Sequence, residues 1–343
     1  TPRYPAQLPP GFLRDSLARL ADMRTLLPVA RLQLLVVHAA LFNNECKTIL
    51  RCTVEEGKTV GDADATGRTL PARLCLEAVK GYPKPYANAL ALVQEQLKLE
   101  PAGPQLDEVL ALTGRKPQDY SGKLEVELQP AMPAGEALCT LLHHLLIIME
   151  RNLPGTRQDL DSEFLHDFRV AVRRTRSLLS QVKGVMPPAV ARHFGAEFKW
   201  LGQITGTTRD LDVYLLKLPG YRAELPASMQ DDLQPLQDYL VRHQQREQRK
   251  LARQLASMRC RRLLEGWRDF LGNSWHDSQW PEKAARPILE SANRKSWKTY
   301  RLVLEEGLAI SDDSPPAALH ELRISCKKLR YLMEFFQSLH PAD

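Results

Sequence analysis

Residues 166–176 read HDFRVAVRRTR, and residues 320–330 read HELRISCKKLR. His166, Arg169 and Arg176 return as His320, Arg323 and Arg330, while Arg173 and Arg174 return as Lys327 and Lys328. The apolar positions correspond as well: Leu165, Phe168, Val170, Val172 and Leu179 answer to Leu319, Leu322, Ile324, Cys326 and Met333. The offset is 154 residues throughout. A repeat of this kind means two copies of one structural unit. Each copy brings one histidine and four cations on a helix, the footprint of a site for something strongly negative.

Helical geometry sharpens this reading. At about 100° per residue, His166, Arg169, Arg173 and Arg176 fall within roughly an 80° arc. Leu165, Phe168, Val172 and Leu179 form the neighbouring face at core-type spacing. The apolar stripe is expected to pack inward, with a basic stripe beside it along a groove or rim. His320, Arg323, Lys327 and Arg330 repeat the arrangement. Like charges four residues apart cost about 0.2–0.5 kcal/mol per pair, and Asp167 and Glu321 offset little of it. Such a stripe suits an anion. The opposing reading is a solvated charged face whose arginine stems cover apolar surface. His166 and His320 read either as helix-packing residues or as anion contacts.

Two regions emerge along the chain. Residues 11–27 read as an amphipathic helix. Segments 29–38, 46–55 and 70–79 are short, alternating and rich in Val, Leu and Thr, which predicts strands, with a turn at Asn43-Asn44. Helices are expected at about 86–98 and 105–113, and 122–128 reads as a strand or a linker. Residues 1–130 are therefore an α+β region. Residues 131–343 read as nearly all helical, with elements at 134–153, 160–184, 188–205, 208–218, 228–271, 281–308 and 316–339. A break near Met258 is expected to divide the longest of these. The five tryptophans, Trp200, Trp267, Trp275, Trp280 and Trp297, read as core anchors.

Composition narrows the function classes. Net charge is +6, with 47 basic and 41 acidic residues, which by itself singles out no polyanion binder. Distribution says more. Residues 241–262 hold eight Lys or Arg against one acid. Arg294, Lys298 and Arg301 share a helical face. The six cysteines show no CxxC or zinc-type spacing, which fits a reducing cytosol and a cytoplasmic protein. His143-His144 lacks a partner motif, so no metal site and no cofactor are expected. No apolar run approaches 18 residues, so no membrane span is expected. No signal peptide is read at the start, which is Thr1.

HDFRVAVRRTRSLL, then FKWLGQITGTTRDLDVYL at 198–215, then LHELRISCKKLRYLMEFF at 319–336 resemble the CHAD domain, the conserved histidine α-helical domain. The resemblance spans about residues 136–343. It implies a mainly α fold of two pseudo-symmetric antiparallel helical bundles around a basic groove. It also implies inorganic polyphosphate as ligand, with no catalysis. On matching positions it assigns His166, Arg169, Arg173, Arg174, Arg176, Lys199 and Arg209 in the first half. In the second half it assigns His320, Arg323, Lys327, Lys328 and Arg330. Asp210 and Asp212 match too and are expected to orient Arg209 or cap a helix. The family's second half carries its own counterpart of 198–215. The sequence stops at Asp343, so that half of the site is expected to be incomplete here. The three-strand block, ending in LCLEAVKGY, resembles the closing half of a CYTH or triphosphate tunnel domain. The ExExK strand of such domains is absent, so triphosphate hydrolysis is not expected.

The expected function is thus non-catalytic binding of polyphosphate by the two stripes, with Arg294, Lys298 and Arg301 adding charge, and recruitment to polyphosphate granules as a consequence. Nucleic-acid or general polyanion binding is the alternative, although no helix-turn-helix, RRM, KH or zinc-finger pattern supports sequence-specific recognition. A scaffold for a phosphate-processing partner is another. A phosphohydrolase would need a metal-binding carboxylate cluster that the stripes lack.

Overall fold

The computed structural model describes residues 3–21, 23–60, 67–114, 120–182, 184–272 and 280–340. The chain divides into two compact units, Leu26–Tyr120 on the one hand and Thr1–Thr25 with Ser121–Asp343 on the other. This differs from a single boundary near residue 130, because hydrogen bonds tie the N-terminal segment to the helical unit. The Tyr4 hydroxyl and the Thr25 hydroxyl both donate to the Leu160 carbonyl, at 2.6 and 2.8 Å, and the Thr25 N–H donates to the Asp161 carboxylate at 2.7 Å. Residues 121–128 also belong with the helices. They form no strand, and the Leu128 N–H donates to Ser338 Oγ at 3.0 Å.

The smaller unit holds β1 (Leu32–Phe42), β2 (Thr48–Thr59) and β3 (Arg73–Ala78) in one antiparallel sheet of that order. The β1–β2 turn is closed by Asn43, whose side-chain oxygen accepts from the N–H groups of Glu45 and Lys47. This is an Asx turn, the chemistry that favours asparagine there. Two helices follow, α2 (Pro83–Glu95) and α3 (Gln105–Leu112).

The larger unit begins with α1 (Phe12–Ala21) and resumes with α4 (Ala134–Gln158), α5 (Ser162–Gln181), α6 (Pro188–Ile204) and α7 (Gly206–Glu224). Here α1, α2 and α3 are numbered in chain order across both units. Then come α8 (Gln234–Leu255), α9 (Met258–Gly272), α10 (Ile288–Leu308) and α11 (Pro316–Phe335). The break expected near Met258 separates α8 from α9. Helix α4 supplies the centre of the core: Leu138, Leu141, Leu142, Leu145 and Met149 are all buried. It ends at Asp159 in the left-handed conformation, φ 51°, a common way to stop a helix. Two residues on, Asp161 caps α5 by accepting from the N–H groups of Glu163 and Phe164 at 2.9 and 3.2 Å. That contact fixes where the first basic helix begins. Gly155 lets α4 and α5 pack closely, since a Cβ there would collide with the Phe164 ring.

The internal repeat is visible in the backbone. The Ala134 N–H donates to the Arg286 carbonyl, and the Ile288 N–H donates to the Met132 carbonyl, each at 2.8 Å. Each bond is the other shifted by 154 residues, so a pseudo-two-fold axis passes between them. Helices α10 and α11 thus repeat α4 and α5.

Burial breaks the symmetry. In the first copy Leu165, Phe168 and Val172 are 3, 0 and 1% exposed. In the second, Leu319 and Met333 are 52 and 65% exposed and Cys326 is also exposed. The equal packing expected of the two apolar stripes is therefore not found. Helix α6 brings Phe194, Phe198 and Leu201 into the core shared with α5, and no described helix occupies the corresponding place on α11. The tryptophans divide as well. Trp267 is fully buried, while Trp200 and Trp280 pack partly buried on the core. Trp297, expected in the core, is 63% exposed on α10, and Trp275 lies outside the described residues. Among the described residues, no helix is long and apolar enough to cross a membrane.

Candidate functional site

Helix α5 presents His166, Arg169, Arg173 and Arg176 along one side, as the spacing predicts. The four are not equivalent. Arg169 is half-buried and ties α5 to the end of α6. Its Nη1 donates to Thr205 Oγ1 at 2.8 Å and to the Gly202 carbonyl at 3.2 Å. Burial lowers its pKa, opposed by the nearby charge of Asp210. His166 is half-buried too. Burial lowers its pKa most, helped by the charges of Arg209 and Arg173 and opposed by Glu163 and Asp167. It is a neutral imidazole at neutral pH, able to donate one hydrogen bond but adding no charge. Arg173 and Arg176 are exposed. Gly202 leaves room for Arg176, since a Cβ there would stand 3.1 Å from its Nη1.

Helix α11 crosses α5 and brings in the second copy. His320, Arg323, Lys327 and Arg330 are all exposed. Arg330 Nη1 donates to Glu334 Oε1 at 2.6 Å. Among the described residues, His320, Arg323 and Lys327 form no ion pair. The two copies meet at Tyr331. The guanidinium of Arg173 lies 5.9 Å from its ring centre and that of Arg330 4.9 Å. One aromatic ring is thus approached by one arginine from each copy, a cation–π arrangement that joins the two stripes.

Other expected residues have different surroundings. Arg174 leaves the stripe and fastens the fold: its Nε and Nη2 donate to Glu334 Oε2 at 3.2 and 3.1 Å, and its Nη1 donates to the Gly122 carbonyl at 3.1 Å. Lys199 is exposed on α6. Arg209 donates to the Ser162 carbonyl at 3.0 Å and lies 3.9 Å from Glu163. It is therefore oriented by the start of α5, and not by Asp210 or Asp212. Asp212 instead accepts from Gln244 Nε2 of α8 at 3.0 Å. Burial pushes its pKa up to about 6, with the charge of Asp159 adding to the shift and Gln244 and Arg209 opposing it. Arg294, Lys298, Arg301 and Lys328 line a separate groove of about 930 Å³. Burial pushes the Cys139 and Cys260 thiols up to about 11, so they stay protonated at neutral pH.

Sequence reasoning missed Tyr331, Glu334 and Thr205. Glu334 was legible as the i,i+4 partner of Arg330. Tyr331 was legible as a departure from the repeat, because its counterpart is Ser177. Arg24 was missed as well: it lies 3.8 and 3.7 Å from the carboxylates of Glu163 and Asp167, so the N-terminal segment reaches the face of α5 beside the stripe.

Comparisons with known proteins bear on the family and the fold. A solved structure of the CHAD domain from the plant Ricinus communis is similar over 64% of this chain and 71% of its own, at 26% identity and a TM-score of 0.54. PptA from Streptomyces chartreusis is similar over 62% of this chain and 77% of its own, at 16% identity and a TM-score of 0.48. No curated protein sequence matches the chain. Residues 140–343 match the family model of the CHAD domain, which takes in α5, α11 and everything between them, and the chain belongs to the CHAD domain family.

Proposed function

We propose that the protein binds inorganic polyphosphate, without catalysis, along the track formed by the α5 and α11 stripes. The observation that carries the reading is the meeting of Arg173 and Arg330 at Tyr331, which makes one basic surface of two repeats. Polyphosphate is a flexible chain with about one charge per phosphate and has no bases to read. It needs spaced cations, not a specificity pocket. Arginine offers paired donors to phosphate oxygens, and lysine a point charge. Each exposed contact is worth about 0–1 kcal/mol, and a sheltered one such as Arg169 roughly 1.5–3 kcal/mol. Several together give firm binding.

In this reading His166 donates a neutral hydrogen bond at the half-buried end of the track. Arg169 both holds α6 and faces the ligand, and Arg173, Arg176, Arg323, Lys327 and Arg330 carry the exposed stretch. Recruitment to polyphosphate granules in the cytoplasm follows as a consequence of binding. The test is titration with long-chain polyphosphate of wild type and of the double variant Arg173→Glu, Lys327→Glu. Affinity should collapse with helicity intact. Retained affinity would remove the stripes from the site.

A further inference from the structure

We infer that the groove between α10, α11 and the end of α5 is a second track for the same linear polyanion, separate from the stripes. The inference rests on the polyphosphate reading above. The groove, of about 930 Å³, is lined among others by the cations Arg294, Lys298, Arg301 and Lys328, by Ser180, and by one acid, Glu305. Lys328 belongs to α11 but sits about 100° round the helix from Lys327, so the two lysines serve different faces.

The pseudo-two-fold axis gives this groove a counterpart in the first copy, and comparing the two is informative. Shifting by 154 residues takes Lys328 to Arg174, Lys298 to His144, Arg294 to Thr140 and Ser180 to Glu334. In the first copy these positions hold a stretch of irregular chain. Arg174 donates to the Gly122 carbonyl at 3.1 Å, and His144 Nε2 lies 3.2 Å from the Lys123 carbonyl. The partners there are two adjacent backbone carbonyls, which are neutral acceptors. Glu334 neutralises Arg174.

In the second copy most changes add positive charge or remove negative charge, and one runs the other way: Arg151 becomes Glu305, which also lines the groove. Thr140 becomes Arg294, His144 becomes Lys298, and the acid Glu334 becomes Ser180 beside Lys328. Ile147 becomes Arg301, which among the described residues pairs with Glu305 at 3.8 Å. Among the described residues, Arg294, Lys298 and Lys328 form no ion pair. A groove of the same origin that held neutral acceptors has thus been recast for charged ones. A linear chain of phosphates offers successive oxygens with a charge on each unit.

The experiment is calorimetric titration of the full chain with tripolyphosphate as the short probe. Wild type should take up two equivalents. Arg294→Glu with Lys298→Glu should take up one, and so should Arg173→Glu with Lys327→Glu. Circular dichroism checks that helicity is kept. If the groove reversal unfolds, Arg294→Gln with Lys298→Gln replaces it, with the same loss of one equivalent expected. A groove variant that binds as wild type does would overturn the second track and leave the stripes standing. A stripe variant that binds as wild type does would overturn the stripe reading instead.

Discussion

Asp212 offers a sharp test of how the α7 end of the site is held. It is 7% exposed, and it accepts from the Gln244 amide at 3.0 Å, which also reaches Asp159 at 3.5 Å. Burial raises its pKa from 3.8 to about 6. The protonated form is therefore the one the native state favours. The contribution to stability is fully present below the unfolded pKa and is lost as pH rises through about 6. Each pKa unit is worth about 1.4 kcal/mol, so holding the ionised carboxylate at neutral pH costs about 3 kcal/mol. Asp212→Asn removes the charge and keeps an oxygen for Gln244. Its stability relative to wild type should climb between about pH 4 and about pH 7, reaching a gain of about 1–3 kcal/mol. Urea unfolding of both proteins across that range reads the difference directly, and titrations common to both cancel. A difference that stays flat with pH, or a variant less stable at neutral pH, would refute the reasoning.

Three further outcomes follow from named contacts. Arg169→Ala removes both ties to the end of α6 and should cost roughly 1.5–3 kcal/mol, read by thermal unfolding, and should also weaken polyphosphate binding; an unchanged midpoint would contradict the role assigned to it. Gly155→Ala puts a methyl into the Phe164 ring and should cost roughly 1–3 kcal/mol by overpacking, measured by denaturant midpoint. Arg174→Gln should destabilise by roughly 1–3 kcal/mol while changing polyphosphate affinity far less than Arg173→Gln does; equal losses of affinity would return Arg174 to the binding track.

The stripes were legible in the sequence because an internal repeat carries its own control: the same residue types recur at the same helical angles. Strand, turn and helix positions were legible for a similar reason, since periodicity and asparagine turn chemistry are local. What was not legible depended on contacts across the chain. Arg174 looks like its neighbour Arg173 until Glu334 is placed beside it. Asp212 looks like a partner for Arg209 until Gln244 is seen to hold it. The apolar positions of α11 match those of α5 one for one, yet Met333 is exposed and Leu179 buried. Burial belongs to the neighbouring helix as much as to the stripe. The boundary near residue 130 missed because a hydrogen bond from Thr25 to Asp161 leaves no trace in either segment's composition.

The central claim is that two repeated stripes form one track for polyphosphate. It is tested most directly by binding of long-chain polyphosphate to the purified protein, with double-stranded DNA as competitor, over a salt series. The account predicts tight binding that DNA of equal charge barely displaces, and a clear loss of affinity in Arg173→Gln and in Arg330→Gln alike. Equal displacement by DNA, with affinity that simply falls as salt rises, would contradict it and leave a general polyanion surface.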